Sequence, residues 1–204
     1  MAPRGSYAKG VAKREEILDA ALAVLAREGY RNTSVREIAA AVELSQAGLM
    51  HHFASKDELF TQILRRRDEV DAAAFIADPT KPLFESLPQV IRHNAEVPGL
   101  VHLYVSFSAE ATAPGHFARE YFTNRFKRLR EALAHEIRKG QETGDFQASL
   151  NPESAARELL ALADGLQCWP HARGDGVALL VAVLLVHQID LDVADLAAAT
   201  QVVL

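Results

Sequence analysis

The sequence predicts an all-α protein, and three observations support that prediction. Apolar residues recur at helical spacing along almost the whole chain. Alternating strand-like runs bounded by Asn-Gly or Asp-Gly hairpin turns do not occur. Ser34 and Ser55 each stand three residues before a glutamate, the pattern of a capping box at the start of a helix.

Four short helices are predicted at the N-terminal end of the chain. Gly29 is placed as the C-terminal stop of the first helix, and Ser34, Ser45 and Ser55 are placed as N-caps of the next three. The predicted helices cover about residues 11–27, 34–42, 46–53 and 56–74.

Longer helices are predicted after the segment 78–82, Asp-Pro-Thr-Lys-Pro, which breaks the helical pattern and indicates a domain boundary. Asn151-Pro152-Glu153 provides an N-cap, a proline at the first helical position and an acid in the first turn. Trp169-Pro170 is expected to end or kink that helix. The other predicted helices cover about residues 82–96, 98–109, 116–140, 177–187 and 193–203.

Composition favours a folded protein of the reducing cytoplasm. The chain has 204 residues, of which 49% are hydrophobic, and its one cysteine, Cys168, cannot form an intrachain disulfide. We expect neither an export signal nor a membrane span, because the longest apolar run, residues 177–186, is far shorter than the roughly 18 residues that a span requires.

Charge alone does not favour nucleic-acid binding, since the formal net charge is -5. Its distribution is uneven, however. Residues 1–70 carry 11 basic and 10 acidic side chains, whereas the rest of the chain carries 11 basic and 17 acidic ones. The acidic excess therefore belongs to the C-terminal two-thirds.

The second and third helices, joined by the tight connection 43–45, match the requirements of a helix-turn-helix. Ile38, Ala39 and Val42 are predicted to face inward on the second helix. On the third helix, Leu49 and Phe53 are the core positions at i and i+4. This assignment leaves an outer surface, predicted to enter the major groove, that consists of Gln46, Ala47, Met50 and His51.

Two kinds of DNA contact are predicted from this arrangement. Gln46 lies in the first turn, and its amide can pair bidentately with adenine; the alternative is an ordinary solvated side chain. Thr33, Ser34 and Lys56 lie at the starts of the second and fourth helices, where backbone amides and the helix dipole favour phosphate.

The runs Ser34-Val35-Arg36-Glu37-Ile38-Ala39 and Leu44 to Leu59 resemble the DNA-binding domain of TetR-family regulators. The resemblance implies that Arg36 and Gln46 read bases, that Ala47 and Gly48 allow close approach, and that His52 and Lys56 contact the backbone. Met50 departs from the pattern, since relatives often have a tyrosine there that contacts phosphate; we expect an apolar contact to a thymine methyl instead. The predicted DNA-binding residues are Thr33, Ser34, Arg36, Ser45, Gln46, Ala47, Gly48, Met50, His51, His52 and Lys56.

For the C-terminal part, the resemblance implies a helical bundle that dimerises and holds a small-molecule pocket. The expected organisation is a DNA-binding domain over 1–57, a connecting helix over 58–77, and a ligand-binding and dimerisation domain over 78–204. Plain core packing is the alternative for every candidate pocket residue. These candidates are His102, Tyr104, Phe107, Phe122, Phe126, Cys168 and Trp169.

Other site types fit the sequence less well. Cys168 and His171 could be imagined as nucleophile and base, but Pro170 breaks the helix that would align them. The adjacent pair His51-His52 diverges on a helix and does not form a metal site. The run Arg65-Arg66-Arg67 is interpreted as a solvated face rather than a phosphate contact.

The predicted function is that of a sequence-specific repressor without cofactor, metal or enzymatic activity. Its predicted partners are double-stranded DNA with a near-palindromic operator, a second copy of the chain, and a small-molecule effector that releases the protein from DNA. The alternatives are an all-helical interaction module, which leaves the capped third helix unexplained, and a small-molecule-binding enzyme, for which the sequence shows no glycine-rich phosphate loop or metal-ligand cluster.

Overall fold

The computed structural model describes residues 4–78 and 83–168, and within these ranges the chain is helical and contains no strand. The all-α prediction is confirmed. The helices predicted over 177–187 and 193–203 lie outside the described residues. The described helices are α1 (Arg4–Glu28), α2 (Val35–Ala41), α3 (Gln46–Met50), α4 (Lys56–Asp71) with a π-helical extension (Ala72–Ile76), α5 (Leu83–Glu96), α6 (Pro98–Glu110), α7 (Arg119–Thr143) and α8 (Pro152–Cys168).

The chain divides into two compact units, Met1–Ala77 with Glu96–Asn124, and Asp78–Ala95 with Arg125–Leu204. The first unit therefore contains more than the predicted DNA-binding segment and connecting helix. Helix α6 and the beginning of α7 also belong to it, and α6 packs against α1 and α4. The functional division of the chain at residue 78 stays a prediction.

One hydrophobic core joins the helices of the first unit. Helices α1, α2, α3, α4 and α6 all contribute aliphatic side chains that are withdrawn from solvent. Burying one such side chain stabilises the fold by roughly 1.5–3 kcal/mol. The largest fully buried aliphatic side chains of this unit are those of Ile17, Leu25, Ile38, Leu49, Leu59, Ile63, Leu64 and Leu103.

Serine caps begin the short helices as predicted, with one correction. Ser34 Oγ accepts from the Glu37 amide at 3.2 Å, and Glu37 accepts from the Ser34 amide at 2.6 Å, which completes the first capping box. Ser55 Oγ accepts from the Glu58 amide at 3.0 Å. The predicted reciprocal half of this second box is wrong, because Glu58 reaches past Ser55 to the amide of Ala54.

Several helix boundaries differ from those predicted, among them boundaries of α1, α3 and α7. Helix α1 begins at Arg4, earlier than the predicted start at residue 11. Helix α3 ends at Met50, earlier than the predicted end at residue 53, and the next helix begins after the extended N-cap Ser55. Helix α7 begins at Arg119, since His116 Nδ1 accepts from an amide two residues later and holds a turn there.

The arginine run on α4 is not uniformly solvated, so that prediction is wrong for Arg67. Its side chain is only 4% exposed, 3.4 Å from Asp71 and with its guanidinium 5.5 Å from the Tyr104 ring centre. Arg66 pairs with Asp19 of α1 at 2.7 Å. Arg65 alone of the three is exposed as predicted.

The second unit has its own small core between α7 and α8, which includes Leu133, Ile137 and Leu159. The predicted start of α8 is confirmed, because Asn151 Oδ1 accepts from the Ser154 amide at 3.0 Å. None of the helices within 4–78 and 83–168 is both long and apolar enough to cross a membrane.

Gly99 allows α6 to approach the end of α1 very closely. A Cβ atom at this position would lie 2.1 Å from the Leu25 carbonyl oxygen and 2.7 Å from the Gly29 Cα. We expect Gly99→Ala to lower the free energy of unfolding by about 1–3 kcal/mol, because two backbone segments must separate. Urea unfolding monitored by circular dichroism measures the change.

Gly10→Ala is the matched control for this prediction. A Cβ atom at Gly10 meets nothing within 4 Å, so the substitution is expected to stabilise helix α1 by up to about 1 kcal/mol. Equal midpoints for the two variants would contradict a close helix crossing at Gly99.

Candidate nucleic-acid interface

The connection between α2 and α3 is as tight as predicted. Val42 is the C-cap of α2, and the Leu44 amide donates to the Ala39 carbonyl at 2.9 Å. Glu43 has a φ of 56°, in the left-handed region that costs about 1–2 kcal/mol for a residue other than glycine. Contacts around the turn must therefore hold it in this conformation.

Helix α3 presents the predicted surface with its buried residues below. Leu49 is fully buried and Phe53 is 3% exposed, although Phe53 lies beyond the end of the helix. Gln46, Ala47 and His51 are exposed. The inward and outward assignments are thus confirmed for these five residues.

Met50 differs from its prediction as an outer-surface residue. Its side chain is only partly exposed and packs against the hydrophobic core of the first unit. The physical reason is its position directly after the fully buried Leu49, only about 100° further around the helix, which places Met50 at the edge of the buried face. An apolar contact from Met50 to DNA stays a prediction, and it must coexist with this packing.

The N-terminus of α3 is capped by Ser45, whose Oγ accepts from the Gly48 amide at 3.0 Å. This cap also explains why a glycine at position 48 suits the structure. A Cβ atom at Gly48 would lie 3.2 Å from Ser45 Oγ, closer than ordinary van der Waals contact. The glycine therefore preserves the cap, independently of any close approach to DNA.

The predicted phosphate anchors differ in their surroundings. Thr33 is buried, and its hydroxyl donates to the Gly29 carbonyl at 2.8 Å, so its side chain faces the protein rather than an approaching phosphate. Ser34, Arg36 and Lys56 are exposed at the starts of α2 and α4. The Ser34 amide is engaged by Glu37, so it is not the open donor that the sequence suggested.

Glu37 stays ionised in this setting. The hydrogen bond from the Ser34 backbone amide, together with that from its side chain, holds the pKa of Glu37 below its usual value. Neighbouring Arg36 acts in the same direction.

Two basic residues of α1 that the sequence analysis did not single out contact this region. Lys13 Nζ donates to the Val42 carbonyl at 3.2 Å. Arg14 donates to the His52 carbonyl and forms an ion pair with Glu58 at 2.7 Å. Their contacts could have been predicted from their position one turn before the buried Ile17. A charged side chain on the apolar side of a helix requires polar partners within the protein.

The two adjacent histidines do not form a metal site with their surroundings. The ring centres of His51 and His52 are 6.2 Å apart, with the ring planes at 74° to each other. Among the described residues, no group of three or more His, Cys, Asp and Glu side chains is placed to hold a metal ion.

The candidate pocket residues fall into three groups. Tyr104, Phe107 and Phe122 are buried in the core of the first unit, and the Tyr104 and Phe122 ring centres are 5.5 Å apart. His102 is exposed on α6, and Phe126 is 36% exposed on α7. Cys168 ends α8, and Trp169 lies outside the described residues. A ligand-binding role for these residues stays a prediction.

Comparison with known protein families covers both parts of the chain. Residues 17–63 match the tetR family of bacterial regulatory proteins, and residues 85–187 match the C-terminal domain of BetI-type transcriptional repressors. The HTH-type transcriptional repressor KstR2 of Mycobacterium tuberculosis is 30% identical over 154 residues, which are 71% of this chain and 74% of that protein.

Solved structures agree with this assignment. Salmonella enterica GusR superposes with a TM-score of 0.66 at 25% identity, over 86% of this chain and 94% of that one. A transcriptional regulator from Saccharomonospora viridis, solved in complex with choline, gives a TM-score of 0.66 at 26% identity, over 85% and 94% of the two chains.

These matches confirm the predicted helix-turn-helix regulator and agree with the expectation that the protein is not an enzyme. The run from Ser34 to Leu59, which carried the resemblance, lies entirely within the matched segment 17–63. This chain belongs to the TetR family of DNA-binding transcriptional regulators, which respond to small-molecule ligands.

Proposed function

We propose that this protein is a homodimeric cytoplasmic repressor that binds a near-palindromic operator through α3 and leaves it when a small molecule binds to the region 78–204. The observation that carries the proposal is the exposed row of Gln46, Ala47 and His51 on a helix fixed by the buried Leu49. Such a short, capped and firmly seated helix fits the major groove.

Two copies are needed because one α3 has only five residues and can reach few base edges. A dimer doubles the number of bases read, and its two-fold symmetry requires two inverted half-sites about 34–36 Å apart, or one helical turn of DNA. The relatives named as repressors support repression over activation for this chain.

Phosphate contacts in this proposal come from local donors rather than from a general positive field. Arg36 and Lys56 are exposed in the first turns of α2 and α4. The modest number of such residues predicts a shallow dependence of affinity on salt, because each neutralised phosphate adds about 0.9 to the slope.

Release by an effector requires that the effector bind more tightly to the conformation that does not fit DNA. Equal affinity for both conformations would leave DNA binding unchanged. The choline bound to the Saccharomonospora viridis regulator is a ligand of that protein, and it supports a small organic molecule as the class of effector here.

Selection of bound sequences from a random DNA pool tests the proposal. The 204-residue chain is expected to enrich an inverted repeat whose half-site centres lie about 10 base pairs or a multiple apart. Sedimentation at micromolar concentration is expected to give a dimer. Enrichment of no repeat contradicts operator binding, whereas a monomer contradicts only the dimer.

Gln46→Ala is expected to weaken operator binding and to relax the preference at one position in each half-site. Loss of one bidentate base contact costs about 1–3 kcal/mol, which corresponds to roughly 5- to 150-fold in affinity for each half-site. Gel-shift titration against operators substituted at each position measures both effects. Gln62→Ala, at a partly exposed position of α4, is the control and should bind as the wild type does.

Met50→Ala is expected to lower operator affinity and to reduce preference for thymine at one position. Because Met50 also packs against the core, urea unfolding accompanies the gel-shift assay, and Met50→Leu serves as the control that retains an apolar side chain. Unchanged affinity and sequence preference in a folded Met50→Ala variant would show that Met50 does not contact DNA.

A further inference from the structure

Adjacent basic residues of α1 hold the C-terminal ends of both helices of the helix-turn-helix. Lys13 Nζ donates to the carbonyl of Val42, the C-cap of α2, at 3.2 Å. Arg14 donates to the carbonyl of His52, which directly follows the C-cap His51 of α3. Carbonyl groups at helix C-termini lack intrahelical donors, and a cation there also complements the helix dipole.

Arg14 makes the more extensive set of contacts. Its second guanidinium nitrogen is 2.7 Å from Glu58, and the guanidinium carbon lies 4.3 Å from the ring centre of Phe53. The other Glu58 oxygen accepts from the Ala54 amide. One network thus fixes three consecutive positions of the loop that follows α3, namely His52, Phe53 and Ala54.

The network is partly shielded from water, which strengthens it relative to an exposed ion pair. The Arg14 and Glu58 side chains are 32% and 16% exposed. Burial alone would raise the pKa of Glu58, but the hydrogen bonds from Arg14 and Ala54 outweigh it and hold the pKa below its usual value. Glu58 is therefore ionised at neutral pH and can maintain its ion pair with Arg14.

Helix α3 needs such external support because five residues provide little intrahelical stabilisation. At its other end, Lys13 holds the carbonyl directly before Glu43, the residue with the unfavourable φ of 56°. The two contacts bracket α3, one at the turn that precedes it and one at the loop that follows it.

We propose that Lys13 and Arg14 are positioning residues that set the orientation of α3 on α1, with Arg14 the dominant one, rather than phosphate contacts. This inference rests on the proposed function, in which α3 is the helix that contacts the bases of the operator. It assigns these basic side chains to the protein's own carbonyl groups and carboxylate.

Hydrogen exchange of the free 204-residue protein tests the inference without DNA. Arg14→Met keeps the apolar stem against Phe53 but removes both polar contacts. It is expected to accelerate amide exchange on the order of tenfold in the segment 46–54, while segment 59–64 in the core of α4 exchanges as in the wild type. Lys9→Met removes an exposed charge from the same helix and should change neither segment.

Two further variants distinguish positioning from a general loss of stability. Arg14→Lys keeps a cation near the His52 carbonyl and is expected to restore part of the protection. Glu58→Gln weakens the ion pair but can keep the hydrogen bond to Ala54, so a smaller acceleration in the same segment is expected. Unchanged exchange in 46–54, or equal acceleration in both segments, would overturn the inference.

Measurements of operator binding distinguish a positioning role of Arg14 from a direct contact with phosphate. With the selected operator, Arg14→Met is expected to lose about tenfold or more in specific affinity, while non-specific affinity and the salt slope stay at wild-type values. Equal loss of specific and non-specific affinity, with the slope reduced by about 1.8 because each bound dimer loses two copies of Arg14, would identify Arg14 as a phosphate contact instead. If the wild type selects no operator, the proposed function fails, and the exchange measurement still decides whether Arg14 holds α3.

Discussion

Burial of Leu49 is the interaction on which the DNA-binding unit depends. Isolated helices shorter than about 12–15 residues are marginal in water, and α3 has five residues. Its helical form and its orientation must therefore come from tertiary contacts. Leu49 supplies the central one because it is fully buried among residues from the neighbouring helices. With Leu49 turned to the core, Gln46, Ala47 and His51 lie on the exposed side of the helix, and the contacts of Arg14 and Lys13 are proposed to hold that orientation.

The charges of the first unit show why net charge is a poor guide to its function. Several of its basic side chains are engaged by the protein itself: Arg14 with Glu58, Arg66 with Asp19, and Arg67 with Asp71. These ion pairs connect parts of the unit to one another, and they add little positive charge to its surface. An overall charge of -5 is compatible with DNA binding because phosphate contacts depend on locally placed donors rather than on the net charge of the whole chain.

Local signals predicted those features whose determinants lie within one helical turn. The Ser34 capping box and the Ser45 cap need only residues up to three positions away, and both form. The spacing of Leu49 and Phe53 predicted their burial correctly, but Phe53 reaches the core from a loop rather than from a helix. The burial pattern survives this change because both side chains fill the same core.

Long-range partners account for the features that the sequence did not predict. Glu58 was expected to close a local box, but Arg14, 44 residues earlier, draws the carboxylate away from Ser55. Arg67 was expected to be solvated, but Tyr104 of α6 lies over its guanidinium. Helix α6 itself lies far beyond the predicted DNA-binding segment yet belongs to the first unit. Contacts of this kind join residues that are far apart in the sequence, and no regular spacing between the two partners predicts them.

Helix α6 connects the predicted pocket residues with α1, the helix that carries Arg14. Tyr104 and Phe107, two predicted pocket residues, are on the helix whose second residue, Gly99, approaches the backbone of α1 without a side chain between them. If a ligand inserted beside these rings as predicted, it would have to displace α6, because both rings are buried. Gly99 places the backbone of α6 directly against that of α1, so such a displacement would press on α1. Because α1 carries Arg14, this contact is the route by which the predicted pocket would be coupled to the loop that follows α3.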